Sequence, residues 1–397
     1  MARPPLTLAA LATAAVAGLE VRAARPHTRG TGGAFDAVEL HSADGRRLLI
    51  RAPRSQTAES EQSSDVVAIR ALTTGIRSRL PFAVPQFIGQ APIGPTRAVV
   101  TEFIPGAART ADELTATPAL AADVGRAIAA IHSLPSGFVG EAGLPRRTAA
   151  EAREAAVSVI DRASDTGRLP AALLRRWEEA TDDDTLWRFA PTVVNGQLDA
   201  DSFLVEGDRV TGVVGWSGLA HDDPAHDLHW VLASTGASAE QTLDAYVEAR
   251  SGGADAEIAR RALLYGELEL ARWLLHGVDT HDDAIVTDAV GLLDGLVASV
   301  HDRSSEPLTT DTGPILAVAD VERMLEATPR TAASRESGTT MLTDSFDVSE
   351  LRRHLAEGVE RDEREADLTA PIPLDLSDWG DAAPRDPARG PAQDRPA

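Results

Sequence analysis

The sequence predicts an α+β fold of two lobes: a small antiparallel β-sheet lobe followed by a mostly helical one. Three observations carry this. Two apolar runs, 35–40 and 47–52, flank Ala43-Asp44-Gly45-Arg46, where Asp-Gly is the signal of a tight hairpin. A helical segment and a second strand pair, 85–88 and 97–103, complete the first lobe at Ile104-Pro105-Gly106. Beyond that point helical composition takes over, interrupted by a single further hairpin.

In chain order, the apolar run 6–18 reads as an N-terminal helix. It is too short to span a bilayer, although a secretory signal is the other reading of such a run. Val66, Ile69, Leu72 and Ile76 have the spacing of one helix face, which predicts a helix over 65–80 with Asp65 at its start. Thr117 and Pro118 give the N-cap and first turn of a helix over 117–132. Further helices are expected over 149–164, 171–179, 239–250, 255–277 and 283–301. The late hairpin joins 202–205 to 209–214 through Glu206-Gly207-Asp208. The domains expected are 1–106, 107–305 and an acidic tail over 306–397 whose composition cannot repay chain entropy by burial. Within that tail, Asp347 and Glu350 form a capping-box pattern ahead of Leu351, Leu355 and Val359. This marks 347–360 as a short helix, either transient or a binding segment for a protein partner.

The formal charge of -23 repels phosphate backbones and anionic lipid, so neither nucleic acid nor a membrane surface is an expected partner. With no cysteine, thiolate ligands and nucleophiles are excluded. The sequence has no lysine either, so any role for a strong cation falls to arginine.

The chemistry should lie in Val193-Val194-Asn195-Gly196-Gln197-Leu198-Asp199-Ala200-Asp201-Ser202, which runs through the late hairpin into Val214-Gly215-Trp216 and then Asp223-Pro224-Ala225-His226-Asp227-Leu228. This resembles the signature of the aminoglycoside/macrolide phosphotransferase family: a His-Gly-Asp-Leu-His-x-x-Asn loop, a strand ending in Asp-Trp, and Asp-Pro-x-x-Asp-Leu. The resemblance implies a protein-kinase-like fold. It also implies a loop Asp that takes the substrate hydroxyl proton, and an Asn and a second Asp that hold Mg²⁺ against ATP.

The spacing agrees while the working atoms differ. Gln197 stands at the proton acceptor, Ser202 at the metal-binding Asn, Gly215 at the metal-binding Asp, and Asn195 at the opening His. An amide is no general base near neutral pH, and losing such a base typically costs about 10²–10⁴ in rate. Asp199 and Asp201 on the same loop, and Asp222, are the acids that could substitute as base or ligand.

In the first lobe the resemblance places Arg51 as the phosphate-contacting cation and Asp65 as its partner. Gly30, Gly32 and Gly33 stand in a phosphate-covering loop, and 99–106, with Glu102, in the adenine-receiving hinge. The function expected is a catalytically impaired pseudokinase: a cytoplasmic module binding a nucleotide, a small molecule or a partner, with ATP possible and Mg²⁺ weakened. The alternative is an active ATP-dependent phosphotransferase of antibiotic or sugar hydroxyls, working through rerouted acidic ligands.

Overall fold

A computed structural model describes residues 3–27 and 34–302, apart from 235, 252 and 254. The proposed glycine loop at Gly30, Gly32 and Gly33 and the segments 306–397 and 347–360 lie outside the described residues.

The chain opens with helix α1 (Pro5–Ala15), then strands β1 (Val21–Pro26), β2 (Phe35–Ser42) and β3 (Arg47–Pro53). Helices α2 (Gln56–Ala71) and α3 (Thr74–Arg77) lead to β4 (Phe87–Ile93) and β5 (Thr96–Glu102). The five strands form one antiparallel sheet in the order β1-β2-β3-β5-β4. Successive strand side chains alternate between faces. Leu48, Ile50 and Ala52 therefore join Val38, Leu40, Ala98 and Val100 beneath α1, where Leu8 and Ala12 are fully buried. The alternate positions of β3, which include Arg51, fall on the opposite face.

Two sequence expectations need correction here. Helix α2 begins nine residues before Asp65, capped by Ser55, whose hydroxyl accepts the Ala58 N–H at 3.2 Å. Its first turns, Gln56 to Ser64, carry polar residues and bury Ala58 and Gln62, so apolar spacing does not reveal them. Asp65 consequently sits in mid-helix. Strand β1 was not expected at all, because its Val-Arg-Ala-Ala-Arg-Pro sequence reads as polar. It is an edge strand, where arginine and proline are tolerated.

The helical part comprises α4 (Ala111–Leu114), α5 (Pro118–His132), α6 (Gly137–Glu141), α7 (Ala149–Asp165) and α8 (Ala171–Asp182). Two short antiparallel pairs follow. Strand β6 (Thr192–Val194) pairs with β9 (Ala220–Asp222), and between them lies the hairpin of β7 (Phe203–Glu206) and β8 (Arg209–Val213). Helices α9 (His229–Leu232), α10 (Ala239–Ala249), α11 (Ile258–Asp279) and α12 (Asp283–Asp302) close the chain's described part. Thr117 caps α5 as the sequence predicts, accepting the Leu120 N–H at 3.4 Å. Gly125 of α5 lies against the Thr242 carbonyl of α10, where a Cβ would come within 2.1 Å.

The β7–β8 hairpin is gripped on both sides. Ala83, ahead of β4, donates to Thr211 O at 2.9 Å and accepts from Val213 N at 3.0 Å. Ala107, just past β5, exchanges two hydrogen bonds with Val205 at 3.0 and 3.1 Å. These bonds fix the hairpin, and the loop that leads into it, against the sheet.

Candidate active site

The turn Asn195-Gly196-Gln197 leaves the end of β6, and Asp227 holds it from below. The fully buried Asp227 carboxylate accepts the Asn195 and Gly196 N–H groups, each at 2.7 Å, and also lies 3.0 Å from His132 Nε2. The other His132 nitrogen meets the Tyr246 hydroxyl at 2.9 Å. Thus the Asp-Pro-x-x-Asp segment and the end of α5 together determine where residue 197 stands. Gly196 is required in this turn. Its φ is +81°, and a Cβ would meet the Gly218 carbonyl at 2.3 Å.

Each expected catalytic position has a definite place. Asn195 is buried and donates its side-chain N–H to Gly215 O at 2.8 Å, so it ties the loop to the end of the β8 segment. Gln197 Oε1 accepts the Ser217 hydroxyl at 2.6 Å. Asp199 caps the short 3₁₀ turn Ala200–Ser202: one oxygen accepts Ser202 N–H at 2.9 Å and Ser202 Oγ–H at 2.7 Å. That single arrangement engages both the substitute base and the substitute metal ligand with each other. Gly215 adopts φ +73° with open space where a side chain would project.

The sheet contributes Arg51 and Asp65, which do meet. Arg51 Nη2 donates to Asp65 Oδ2 at 2.8 Å, and Asp65 Oδ1 accepts the Trp216 N–H at 2.8 Å. The predicted pair is therefore a three-way junction of β3, α2 and the residue after Gly215. Glu102 ends β5 with an exposed side chain, and its N–H donates to Gln86 O at 3.0 Å. The next N–H, of Phe103, donates to Arg47 O at 3.1 Å.

Three further acids bear on this cleft. Glu61, one turn before Asp65, is raised above the ordinary glutamate range by burial, with Asp65 and Asp199 adding to the rise and Arg51 opposing it. Burial also raises Asp199, against its hydrogen bonds from Ser202. Asp201 is raised by burial and then by Asp199. Glu61 and Asp65 thus share Arg51 as their neighbouring cation. Sequence reasoning missed Glu61, although its place four residues before Asp65 puts it on the same helix face. Asp222 is engaged elsewhere: it accepts Arg147 Nη1 at 2.9 Å and the Asp223 N–H at 2.8 Å.

These residues do not fit a magnesium site. A divalent hard cation needs convergent oxygen ligands, typically one or two carboxylates with the substrate phosphates. Among the described residues no group of three acidic or histidine side chains is placed to hold a metal. Ser202 turns its hydroxyl hydrogen to Asp199, and Gly215 has no side chain to offer.

A five-stranded antiparallel sheet over a helical lobe, joined around this loop, defines a kinase-like phosphotransferase fold. The chain belongs to the phosphotransferase enzyme family, whose match spans residues 27–264. Its structure is similar to the macrolide 2′-phosphotransferase of Brachybacterium faecium in the apo form, at 23% identity and a TM-score of 0.59, covering 72% of this chain and 97% of that one. It is also similar to a GDP and kanamycin complex of an APH(2″)-type enzyme, at 17% identity and a TM-score of 0.60, covering 74% and 99%. A streptomycin–ATP ternary complex of an APH(2″) enzyme aligns at 15% identity and a TM-score of 0.54, covering 74% and 97%. At these identities the likeness is one of fold. No curated protein matches the chain by sequence.

Proposed function

We propose that this chain is a catalytically impaired member of its family, a pseudokinase that uses the retained cleft to bind a nucleotide or other small molecule. Gly215 carries the reading: the position that would place a carboxylate on the metal has no side chain, and open space surrounds it. Two neighbours support it. Gln197 offers an amide already hydrogen-bonded to Ser217, and the Ser202 hydroxyl is spent on Asp199. Of the three acids that could reroute the chemistry, Asp199 is occupied by Ser202 and Asp222 by Arg147, which leaves Asp201. What remains intact is scaffolding: the Arg51–Asp65 pair and the Asp227 clamp beneath the loop.

Thermal-shift titration with ATP, with and without Mg²⁺, tests the proposal, because a ligand that binds only the folded state stabilises it in proportion to its affinity. The expected result is a small shift, or none, that Mg²⁺ does not enlarge. A large stabilisation that appears only when Mg²⁺ accompanies ATP would overturn it, as would Mg²⁺-dependent ATP hydrolysis that is lost in Asp199→Asn or Asp201→Asn.

A further inference from the structure

We propose that Tyr246 and His132 are positioning residues for the cleft: through Asp227 and Asn195 they hold the Gly215–Trp216 peptide turned towards Asp65, and so couple helix α10 to the Arg51–Asp65 pair of the sheet lobe. The coupling goes beyond the proposed function, since it lies in the chain's own hydrogen bonds and holds whether or not a nucleotide binds.

An unbroken run of hydrogen bonds joins the two ends. The Tyr246 hydroxyl lies 2.9 Å from His132 Nδ1, and His132 Nε2 lies 3.0 Å from Asp227 Oδ2. Asp227 Oδ2 accepts the Asn195 N–H at 2.7 Å, and the Asn195 side chain donates to Gly215 O at 2.8 Å. The Trp216 N–H then donates to Asp65 Oδ1 at 2.8 Å, and Asp65 Oδ2 accepts from Arg51 Nη2 at 2.8 Å. Tyr246, Asp227 and Asn195 are fully buried and His132 is 2% exposed, so bulk water does not compete for these four side chains.

The donor at each step is determined. Asp227 already accepts the Asn195 and Gly196 N–H groups, so His132 Nε2 is the donor to it. A neutral ring then accepts at Nδ1, and the Tyr246 hydroxyl is the donor there. Burial pushes that hydroxyl above the ordinary tyrosine range, which keeps its hydrogen in place. Asn195 has no freedom left: its Oδ1 accepts the Gln197 N–H at 3.2 Å while Nδ2 holds Gly215 O. A buried network with every member satisfied is rigid, and the loss of one partner strands the next.

The far end of the run is the movable element. Gly215 O and the Trp216 N–H belong to one planar peptide group, so a bond to either sets the direction of the other. Gly215 has φ +73° and no heavy atom within 4 Å of where a Cβ would stand, so packing at residue 215 does not hold this plane. The Trp216 ring is fully buried, with Nε1 donating to Val213 O at 3.0 Å, and it can stay in place while the peptide turns. Asn195 from the helical lobe and Asp65 from the sheet lobe thus fix the plane, one at each end. Loosening Asn195 frees the plane and releases the Trp216 N–H from Asp65. Asp65 then keeps Arg51 but loses its tie to the helical lobe.

Hydrogen exchange and proton shifts of the ¹⁵N-labelled full chain test the coupling, and Trp216 carries its own reference. Its backbone N–H ends the run at Asp65, whereas its indole N–H bonds to Val213 O outside it. Tyr246→Phe removes only the hydroxyl. Exchange of the Asn195, Gly196 and Trp216 backbone N–H groups should then rise about fivefold, the scale of one lost hydrogen bond. The Trp216 amide proton should move upfield while its indole proton stays. Thr242→Val removes a hydroxyl one turn earlier on α10 that has no hydrogen-bond partner among the described residues, and it should change none of these. His132→Gln keeps an N–H for Asp227 and should leave Trp216 nearer the parent than His132→Leu does. Equal changes at the backbone and indole N–H groups in Tyr246→Phe would mean general loosening and overturn the coupling. An unchanged Trp216 backbone N–H would overturn it too, as would His132→Gln and His132→Leu behaving alike. Should His132→Leu not fold, Tyr246→Phe decides alone.

Discussion

Ser217 donates its hydroxyl hydrogen to Gln197 Oε1 across 2.6 Å. The bond points the acceptor atom of residue 197 back into the protein, towards the segment that follows Gly215. The amide nitrogen is left as the group this position can present, so the loop offers a donor at the position that the proposed function assigns to the proton acceptor. Gly218 reinforces the arrangement, because a Cβ there would come within 2.8 Å of Gln197 Cγ.

On the proposed reading, restoring phosphoryl transfer takes more than a new base. Gln197→Asp alone should show no ATP hydrolysis, because it leaves the metal positions at 202 and 215 unfilled. Combined with Ser202→Asn and Gly215→Asp, it should give measurable Mg²⁺-dependent ATPase activity. At Gly215 an added side chain has room but must adopt φ +73°, a backbone strain of about 1–2 kcal/mol, so the triple variant should also melt earlier than the parent. A coupled assay for released ADP reads the first expectation and a denaturation curve the second. Activity in the single variant would show that a metal is held by groups other than these.

The loop turn itself should be intolerant. Asp227→Ala removes a buried carboxylate that accepts two N–H groups and faces His132, leaving those donors unpaired. Such losses cost about 1–3 kcal/mol per stranded group, so a total of about 3–5 kcal/mol is expected. Gly196→Ala adds a backbone clash at 2.3 Å to a left-handed φ and should cost about 2–4 kcal/mol. Urea denaturation of each variant measures both, and a loss below about 1 kcal/mol for Asp227→Ala would mean that the turn is held by other contacts.

The spacing of the motif words was legible in sequence because the hairpin and the Asp223 to Leu228 segment keep their register, and the structure seats Asn195, Gln197, Ser202 and Gly215 around one turn. The Arg51–Asp65 pair was legible for the same reason, although the helix that carries Asp65 starts much earlier than its apolar pattern suggests. What stayed hidden depends on contacts between distant segments. Strands β6 and β9 are three residues each and exist only by pairing across an intervening hairpin. The Asp199–Ser202 bond, which makes a local cap of a candidate replacement acid and a candidate metal-ligand position, stayed hidden as well. Glu61 is marked by no motif, since composition does not say which face of α2 meets Arg51 and Asp199.

The acids at the cleft should make the protein more stable under mild acid. Burial raises the Glu61 carboxyl in the folded state. A carboxyl raised in this way costs stability when ionised, above its folded pKa, and costs nothing below its unfolded value. Glu61→Gln should accordingly be more stable than the parent at pH 7, by up to about 1 kcal/mol, with the gap closing as pH falls towards the ordinary glutamate range. Thermal melts across pH 4.5 to 8 read the difference. A variant less stable than the parent at pH 7 would mean that the Arg51 attraction outweighs the burial.

The opposite sign belongs to Arg261, a fully buried arginine whose Nε and Nη2 meet the two Asp223 oxygens at 2.8 and 3.1 Å. Burial pushes the Asp223 carboxyl up, while Arg261, Tyr265 and the Ala225 N–H draw it back. Arg261→Leu would strip the strongest of these and strand a charge in the helical core, which typically costs about 3–5 kcal/mol. The loss should not be constant with pH. Without the arginine, the Asp223 carboxyl is pushed higher still in the folded state, so its ionised form is penalised at neutral pH and the penalty fades as the group protonates. The deficit should therefore be larger at pH 8 than at pH 5, as measured by urea denaturation at each pH. A deficit equal at both would assign the loss to packing around Phe189, over whose ring the guanidinium sits at 4.2 Å, rather than to the stranded charge.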